Sequence, residues 1–387
     1  MIKIKDKALC CGCGACEQCC PRHCITLLTD EEGFAYPAVN HEKCVDCHLC
    51  ERVCPVLNAD RLIKNDPAKI ETYVAYCNDE DLRLKSSSGG LFTVLAEKII
   101  EEGGVVFGVA FDENFLVHHI KAEKIKELFL LRGSKYLQSR TEDCYCEAKS
   151  ELKKGRKVLY TGTACQIAGL YAYLGNEYEN LLTVDVLCHG VPSPKVWRRY
   201  LDEQESAYGA AVRRTFFRSK NCGWKTYALS LEFSNDKAYE CVLSEDTFMQ
   251  MFLRNICLRP SCYICKFKGD YINSDITIGD AWGIQAHSPE MDDDKGTSVI
   301  VVHSSKGAAI FQSVISKLRC KKSEPSAALA GNPSYYQSVS EHPKRKEFFY
   351  LFEKGAPTSE LVKLTKPSYF RIFFSKGKCV IKKILGK

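Results

Sequence analysis

The sequence predicts a mixed α/β body behind a small, cysteine-built N-terminal module. Three observations predict this. Cysteines recur at matched spacing over residues 10–54, strand-like and helix-like segments alternate from residue 70, and three strand-like runs follow one another between 212 and 243. Alternating βα units point to a parallel sheet, and consecutive strands point to antiparallel pairing. With 387 residues, 45% of them hydrophobic, the chain suits two or three domains with a sizeable core.

The module comes first. Cys10, Cys13, Cys16 and Cys20, closed by Pro21, form a C-x2-C-x2-C-x3-C-P run, and Cys44, Cys47, Cys50, Cys54 and Pro55 repeat it 34 residues on. This is the ligand spacing of a bacterial-type ferredoxin domain with two [4Fe–4S] clusters, in which the fourth cysteine of each run serves the other cluster. One cluster is therefore expected on Cys10, Cys13, Cys16 and Cys54, and the other on Cys44, Cys47, Cys50 and Cys20. Cys11, Cys19 and Cys24 are left over. Structural zinc sites use C-x2-C pairs but have no need of three evenly spaced cysteines closed by C-P, still less twice. Between the runs, the apolar stretch 25–28 and the segment 33–36 predict a hairpin turning at Gly33. Residues 1–60 form the module, and 58–69 read as a polar linker.

Composition narrows the setting. The chain has 23 cysteines, an odd number, mostly in metal-like spacings, and neither an apolar leader nor an 18-residue apolar run. That predicts a reducing cytoplasm, where thiols are kept for metals. The net charge of +6 is misleading, because residues 365–387 hold seven Lys/Arg and no acid, leaving the rest at −1. No basic stripe with stacking aromatics crosses the body, so nucleic acid is not an expected partner. The basic tail, with Phe370, Phe373, Phe374, Ile381, Ile384 and Leu385 among its cations, reads either as a solvated terminus or as a contact for anionic lipid or an acidic partner.

The body follows in order. Residues 70–77 predict a strand. Ser88 is placed as the cap of a helix whose Leu91, Val94, Leu95 and Ile99 share one face, ending at Gly103 and Gly104. Strands are expected at 105–111 and 115–120, joined by a turn at 112–114. Residues 157–161, 164–174 and 182–187 form a βαβ unit with Gly175 stopping the helix, which forces a parallel pair and a right-handed crossover. Strands at 212–218, 226–233 and 238–243 are expected to be antiparallel. A helix over 246–257, strands at 275–278 and 298–303, and a helix over 306–318 complete the reading.

Ligands in open α/β sheets bind beyond the carboxyl ends of the strands. Cys165 and Cys188 each follow a strand of the βαβ unit, and Cys165 sits in the first turn of a helix, where thiolate is favoured. Cys262 and Cys265 add a C-x2-C pair, giving enough ligands for a third cubane. The same residues also read as buried core thiols, or the pair as a redox dithiol or half a zinc site. Cys257 and Cys222 compete as fourth ligand. Cys77, Cys144, Cys146, Cys241, Cys320 and Cys379 read as ordinary thiols.

Seven segments in order carry a resemblance: Ser87-Ser-Gly-Gly90, Gly104-Val-Val-Phe-Gly-Val-Ala110, Arg132-Gly-Ser-Lys-Tyr-Leu-Gln-Ser139, Thr161-Gly-Thr-Ala-Cys-Gln166, Asp185-Val-Leu-Cys-His-Gly190, Leu258-Arg-Pro-Ser-Cys-Tyr-Ile-Cys265 and Ser274-Asp-Ile-Thr-Ile-Gly-Asp-Ala-Trp-Gly283. In these the chain resembles the beta-subunit family of coenzyme F420 hydrogenase/dehydrogenase. It departs at Ala164, where the family has proline. The resemblance implies N-terminal-like and C-terminal-like family regions at 70–150 and 151–330, followed by the basic tail at 331–387. It also implies the third cluster on Cys165, Cys188, Cys262 and Cys265, and FAD as a further redox centre. By position, Ser87, Ser88, Gly89 and Gly90 would hold the FAD phosphates, as a small-residue turn at a helix start can, although the same residues also suit a plain N-cap. Lys135, Tyr136, Gln138, Thr161, Gly162 and Thr163 would line the flavin, and Asp275, Gly279 and Asp280 would close the site.

No Rossmann or P-loop signature is present. His189, His118 and His119 read as proton donors near a flavin or as ordinary hydrogen-bonded histidines, and no catalytic residue is assigned. The expected function is a cytoplasmic iron–sulfur flavoprotein oxidoreductase. It would pass electrons between a ferredoxin-type donor or acceptor and a hydride-accepting cofactor or small molecule, which in the family is F420. The alternatives are a non-catalytic relay subunit of a hydrogenase- or dehydrogenase-like complex, and a reductase of a small molecule or glycan precursor.

Overall fold

The computed structural model describes residues 1–62 and 64–366. The basic tail beyond 366, with Cys379, lies outside the described residues.

The sequence repeat of the module is also a backbone repeat. Gly12 and Gly14 hold φ of +72° and +76°, and 34 residues on Asp46 and His48 hold +52° and +57°. Each pair leads into a single helical turn, Ala15–Gln18 or Leu49–Arg52. The left-handed residues turn the chain so that successive sulfurs point inward, and the turn is kept even where Asp and His must adopt a conformation costly to a side chain. Between the runs lie β1 (Ile25–Thr29) and β2 (Ala35–Val39), the expected hairpin.

The body is built on an eight-stranded mixed sheet. Its strands are β3 (Glu71–Cys77), β4 (Val105–Phe111), β5 (Val117–Ala122), β6 (Val158–Thr163), β7 (Leu181–Val186), β11 (Ile276–Asp280), β12 (Ser298–Val302) and β13 (Leu318–Lys322). A separate antiparallel sheet holds β8 (Val212–Ser219), β9 (Ala228–Phe233) and β10 (Ala238–Val242). The large sheet runs β13–β3–β12–β11–β7–β6–β4–β5. β4, β6, β7 and β11 are mutually parallel, and its other neighbours pair antiparallel.

Helices cover both faces. The longer ones are α1 (Leu91–Glu101), α2 (Cys144–Lys153), α3 (Ala164–Leu174), α4 (Pro194–Tyr208), α5 (Thr247–Leu253), α6 (Ser305–Val314) and α7 (Arg345–Glu353). Strand alternation sorts side chains between the faces. In β6, Leu159 packs with α1 and α6, while Val158 and Tyr160 pack with α2 and α3. The small sheet buries Phe217, Leu229, Leu231 and Phe233 against α4, α5 and α7.

Several boundaries differ from the sequence expectation. Ser88 does not cap α1: Gly90 holds that position at φ +90°, and the Ser88 hydroxyl donates to the Thr297 carbonyl instead. The strand expected at 115–120 starts at Val117, because Phe115 is a turn residue at φ +56°. The helix expected over 246–257 stops at Leu253, ahead of Asn255 at φ +61°. Residues from 331 onward are not simply a tail, since Phe348, Phe349, Phe352 and Leu361 are buried in the main core. Among the described residues no helix is long and apolar enough to cross a membrane.

Candidate cluster and cofactor site

The module gathers its cysteines into two groups, and each group mixes both runs. Cys20, Cys44, Cys47 and Cys50 line one small cavity, with Cys24 as a fifth thiol 3.3 Å from the Cys20 sulfur. In the other group, burial and then the neighbouring Cys10 and Cys54 push the Cys16 thiol well above its usual range. Burial also raises Cys54, which senses Cys10, and Cys13 senses Cys16 and Cys54. Among the described residues no three ligating side chains converge on a single-ion position.

The donor set suits iron–sulfur clusters. Thiols crowded in a buried space resist ionisation unless a cationic core replaces their protons, and ligation requires the thiolate. Backbone donors already aim at sulfur: Ile2 N–H lies 3.2 Å from Cys50 Sγ and Cys24 N–H lies 3.5 Å from Cys20 Sγ.

A third cysteine group lies in the body. Cys165, Cys188, Cys262 and Cys265 line one cavity together with Cys11. Cys165 is placed by the turn from β6 into α3, where Thr163 and Gln166 form a capping box and Thr163 Oγ1 sits 3.1 Å from the Cys165 sulfur. Cys188 follows β7. Cys262 lies in the turn Pro260–Ile264, and its sulfur accepts from Val191 N–H at 3.4 Å. Burial pushes Cys188 up to about 12 and Cys265 up to about 11. Neither rival ligand lines this cavity, because Cys257 is fully buried in apolar core and Cys222 is exposed. Cys11, a spare by spacing, lines this cavity beside Cys165 and so brings the module up to this group. Spacing alone gave no sign of that role.

A cavity of about 700 Å³ opens over the carboxyl ends of β6, β7 and β11, where open α/β sheets bind ligands. Ser87, Ser88, Gly90, Lys135, Tyr136, Thr161, Gly162, Thr163, Gly279 and Asp280 all line it. Three of the sequence-derived residues do not. Gly89 turns toward β3, where a Cβ would fall 2.4 Å from the Ala75 carbonyl. Gln138 faces the module, donating to the Cys11 carbonyl and accepting from Arg259. Asp275 lies at the opposite, amino end of β11, where Thr183 and Ser304 saturate its carboxylate.

The cavity suits a phosphate-bearing flavin nucleotide at one end. No side chain caps α1, whose first turn faces the cavity beside Ser87, Ser88 and Arg132, and bare helix N–H groups suit phosphate. The Lys135 ammonium donates to the carbonyls of Leu131, Arg132 and Gly133 at 3.2–3.3 Å, and burial draws it down to about 7.

The opposite wall was missed by sequence reasoning. Arg218 pairs in a bidentate fashion with Asp280 at 2.7 and 2.9 Å, and Trp224 Nε1 donates to the same carboxylate at 2.7 Å. The Arg218 guanidinium stacks 3.9 Å from the Tyr227 ring. Arg218 belongs to β8 of the small sheet, so only tertiary packing brings it here. His189 lines both cavities, whereas His118 and His119 line neither. Buried His119 faces the carbonyls of Thr161 and Arg140, a hydrogen-bonded structural placement.

Two family models match parts of the chain. Residues 155–328 match the family described as the C terminus of the coenzyme F420 hydrogenase/dehydrogenase beta subunit, and residues 9–58 match the 4Fe-4S dicluster domain. No curated protein matches the chain. Among solved structures, it is similar to a chain of the F420-reducing [NiFe] hydrogenase complex from Methanosarcina barkeri, with 16% identity, 79% of this chain and 91% of that one covered, and a TM-score of 0.47. The chain thus carries a 4Fe-4S dicluster domain over residues 9–58, ahead of a region, residues 155–328, that matches the C terminus of the coenzyme F420 hydrogenase/dehydrogenase beta subunit.

Proposed function

We propose that this protein is a flavin-dependent oxidoreductase. It passes electrons between a ferredoxin-type protein and a hydride-accepting cofactor or small molecule, with F420 as the acceptor suggested by the family. One observation carries the reading. Cys188, His189, Gly190 and Val191 line both the third cysteine cavity and the 700 Å³ cavity. Cys11 joins the third group to the module, so the redox sites form one continuous series ending at an open pocket. A pure relay protein needs no such pocket.

A bound FAD supplies conversion between single electrons and a hydride, which clusters alone do not provide. The chain's own residues set position, charge and access. Ser87, Ser88, Gly90, the first turn of α1 and Arg132 receive the phosphates. Lys135 Nζ can hold or release a proton near neutral pH at the cavity wall. Asp280, neutralised by Arg218, adds shape without net charge. In the module, exposed Cys47 and Val45 place the second cluster's ligands at the surface, where a donor protein can approach.

Anaerobic purification followed by iron, sulfide and flavin analysis tests the reading. About twelve irons, four per cubane, and one FAD are expected per chain. Dithionite-reduced protein should then be reoxidised by F420, NAD or NADP. Eight irons would remove the third cluster. Absence of flavin, or reoxidation by none of these acceptors, would reduce the protein to a relay.

A further inference from the structure

We propose that Arg259 is the fixed counter-charge of the cluster held by Cys10, Cys13, Cys16 and Cys54, and that it keeps that cluster's reduction potential above that of the cluster held by Cys44, Cys47, Cys50 and Cys20. The proposal rests on the two module clusters alone, so failure of the flavin reading leaves its test intact.

Arg259 is 0% exposed. Among the described residues it makes no ion pair with any carboxylate. Its Nε donates to the Cys10 carbonyl at 2.7 Å, Nη1 to Gln138 Oε1 at 2.7 Å and Nη2 to the Ala35 carbonyl at 3.0 Å. The remaining contact is Nη2 to the Cys10 sulfur at 3.5 Å. The rings of Tyr36 and Phe34 lie 4.3 and 5.6 Å away and exclude water. A buried cation without an anion is costly. The thiolate that Cys10 becomes on binding iron is the anion that balances it.

The other cluster site is built differently. The sulfurs of Cys50 and Cys20 receive neutral backbone N–H groups. The Met1 ammonium nearby is already paired with Asp46 at 3.6 Å and Glu51 at 3.4 Å. A permanent positive charge beside a cluster favours its reduced, more negative form, and hydrogen bonds to ligand sulfur act in the same direction. Among the described residues, only the Cys10 cluster has such a charge in a dry setting. An electron entering at the exposed Cys47 side would therefore move inward, toward Cys11 and the third cysteine group.

The test is a potentiometric titration of the anaerobic holoprotein followed by electron paramagnetic resonance, on Arg259→Gln and Arg259→Lys. A Cys47→Ser background distinguishes the two clusters. Arg259→Gln should shift the reduction equilibrium of the Cys10 cluster at least tenfold toward oxidised, which is 59 mV for one electron, and leave the other cluster unmoved. Arg259→Lys should recover most of that shift, because it keeps the charge while losing the forked hydrogen bonds. An unmoved Cys10 cluster, or equal shifts in both variants, would overturn the proposal. So would loss of that cluster's iron in both variants, which would make Arg259 a structural clamp.

Discussion

Single residues here separate ligand from bystander by position alone. Cys165 and Cys257 are both shielded thiols, yet Cys165 shares a cavity with four other cysteines and Cys257 sits in apolar core. Cys165→Ala should therefore lose about four of roughly twelve irons, whereas Cys257→Ala should keep them all and lose only ~1 kcal/mol of stability. Iron analysis and thermal melts on both variants decide this, and full iron in Cys165→Ala would remove the third cluster. His119 makes a separate prediction. Burial lowers it to about 4, against about 6.5 in the unfolded chain. Between those values the unfolded state holds more protons, so stability is complete above pH 6.5 and falls as pH drops toward 4, by ~1.4 kcal/mol per unit. His119→Gln should flatten that slope in denaturant melts at pH 5 and pH 7.5, and an unchanged slope would refute the assignment.

Helix α3 shows how one element positions two cysteine groups. Cys165 and Gly169 are four residues apart and so share a face, and the module rests on that face. Cys165 shares a cavity wall with Cys11, and a Cβ at Gly169 would fall 2.9 Å from both Cβ and Sγ of Cys13. Alanine is a better helix former than glycine by ~1 kcal/mol, so an unconstrained Gly169→Ala would stabilise. Here the clash should dominate, with a net loss of about 1–3 kcal/mol and depleted iron in the Cys13 cluster. A variant that melts higher with full iron would show that the module does not bear on α3. This βαβ unit was legible because its signals are local: an apolar strand, helical spacing and Gly175 at the C-cap with φ +72°. The cavity wall made by Arg218 and Tyr227 was not legible, because sequence order says nothing about how the small sheet packs. Helix α4 did offer a local signal, with Ser193 as cap and Pro194 in its first turn, but its interior is largely polar and its buried stripe is narrow.

Across the whole molecule, the module and the body are held together by different physics. The body has extended apolar clusters on both faces of its sheet. The module's own core is Ile2 and Ile25 among Cys16, Cys20, Cys24, Cys50 and Cys54, too little apolar surface for a unit of this size to fold alone. Metal binding must supply the missing free energy, and in such domains binding energy is folding energy. The module is also anchored to the body by polar contacts that assume its folded shape: Thr141 to the Cys13 carbonyl at 3.0 Å, Gln18 with Tyr145 N–H at 2.9 Å, and Arg259 with Cys10. Stripping the clusters with oxidant and chelator should therefore leave Arg259 without its counter-charge and unfold the module from that face outward. Limited proteolysis with mass spectrometry should then find cuts within residues 1–62 while the body from 70 to 366 stays protected, and holoprotein should resist at both places. Equal protection of the stripped module would show that its hairpin and body contacts suffice without iron. Simultaneous digestion of module and body would show that the sheet depends on the clusters as well.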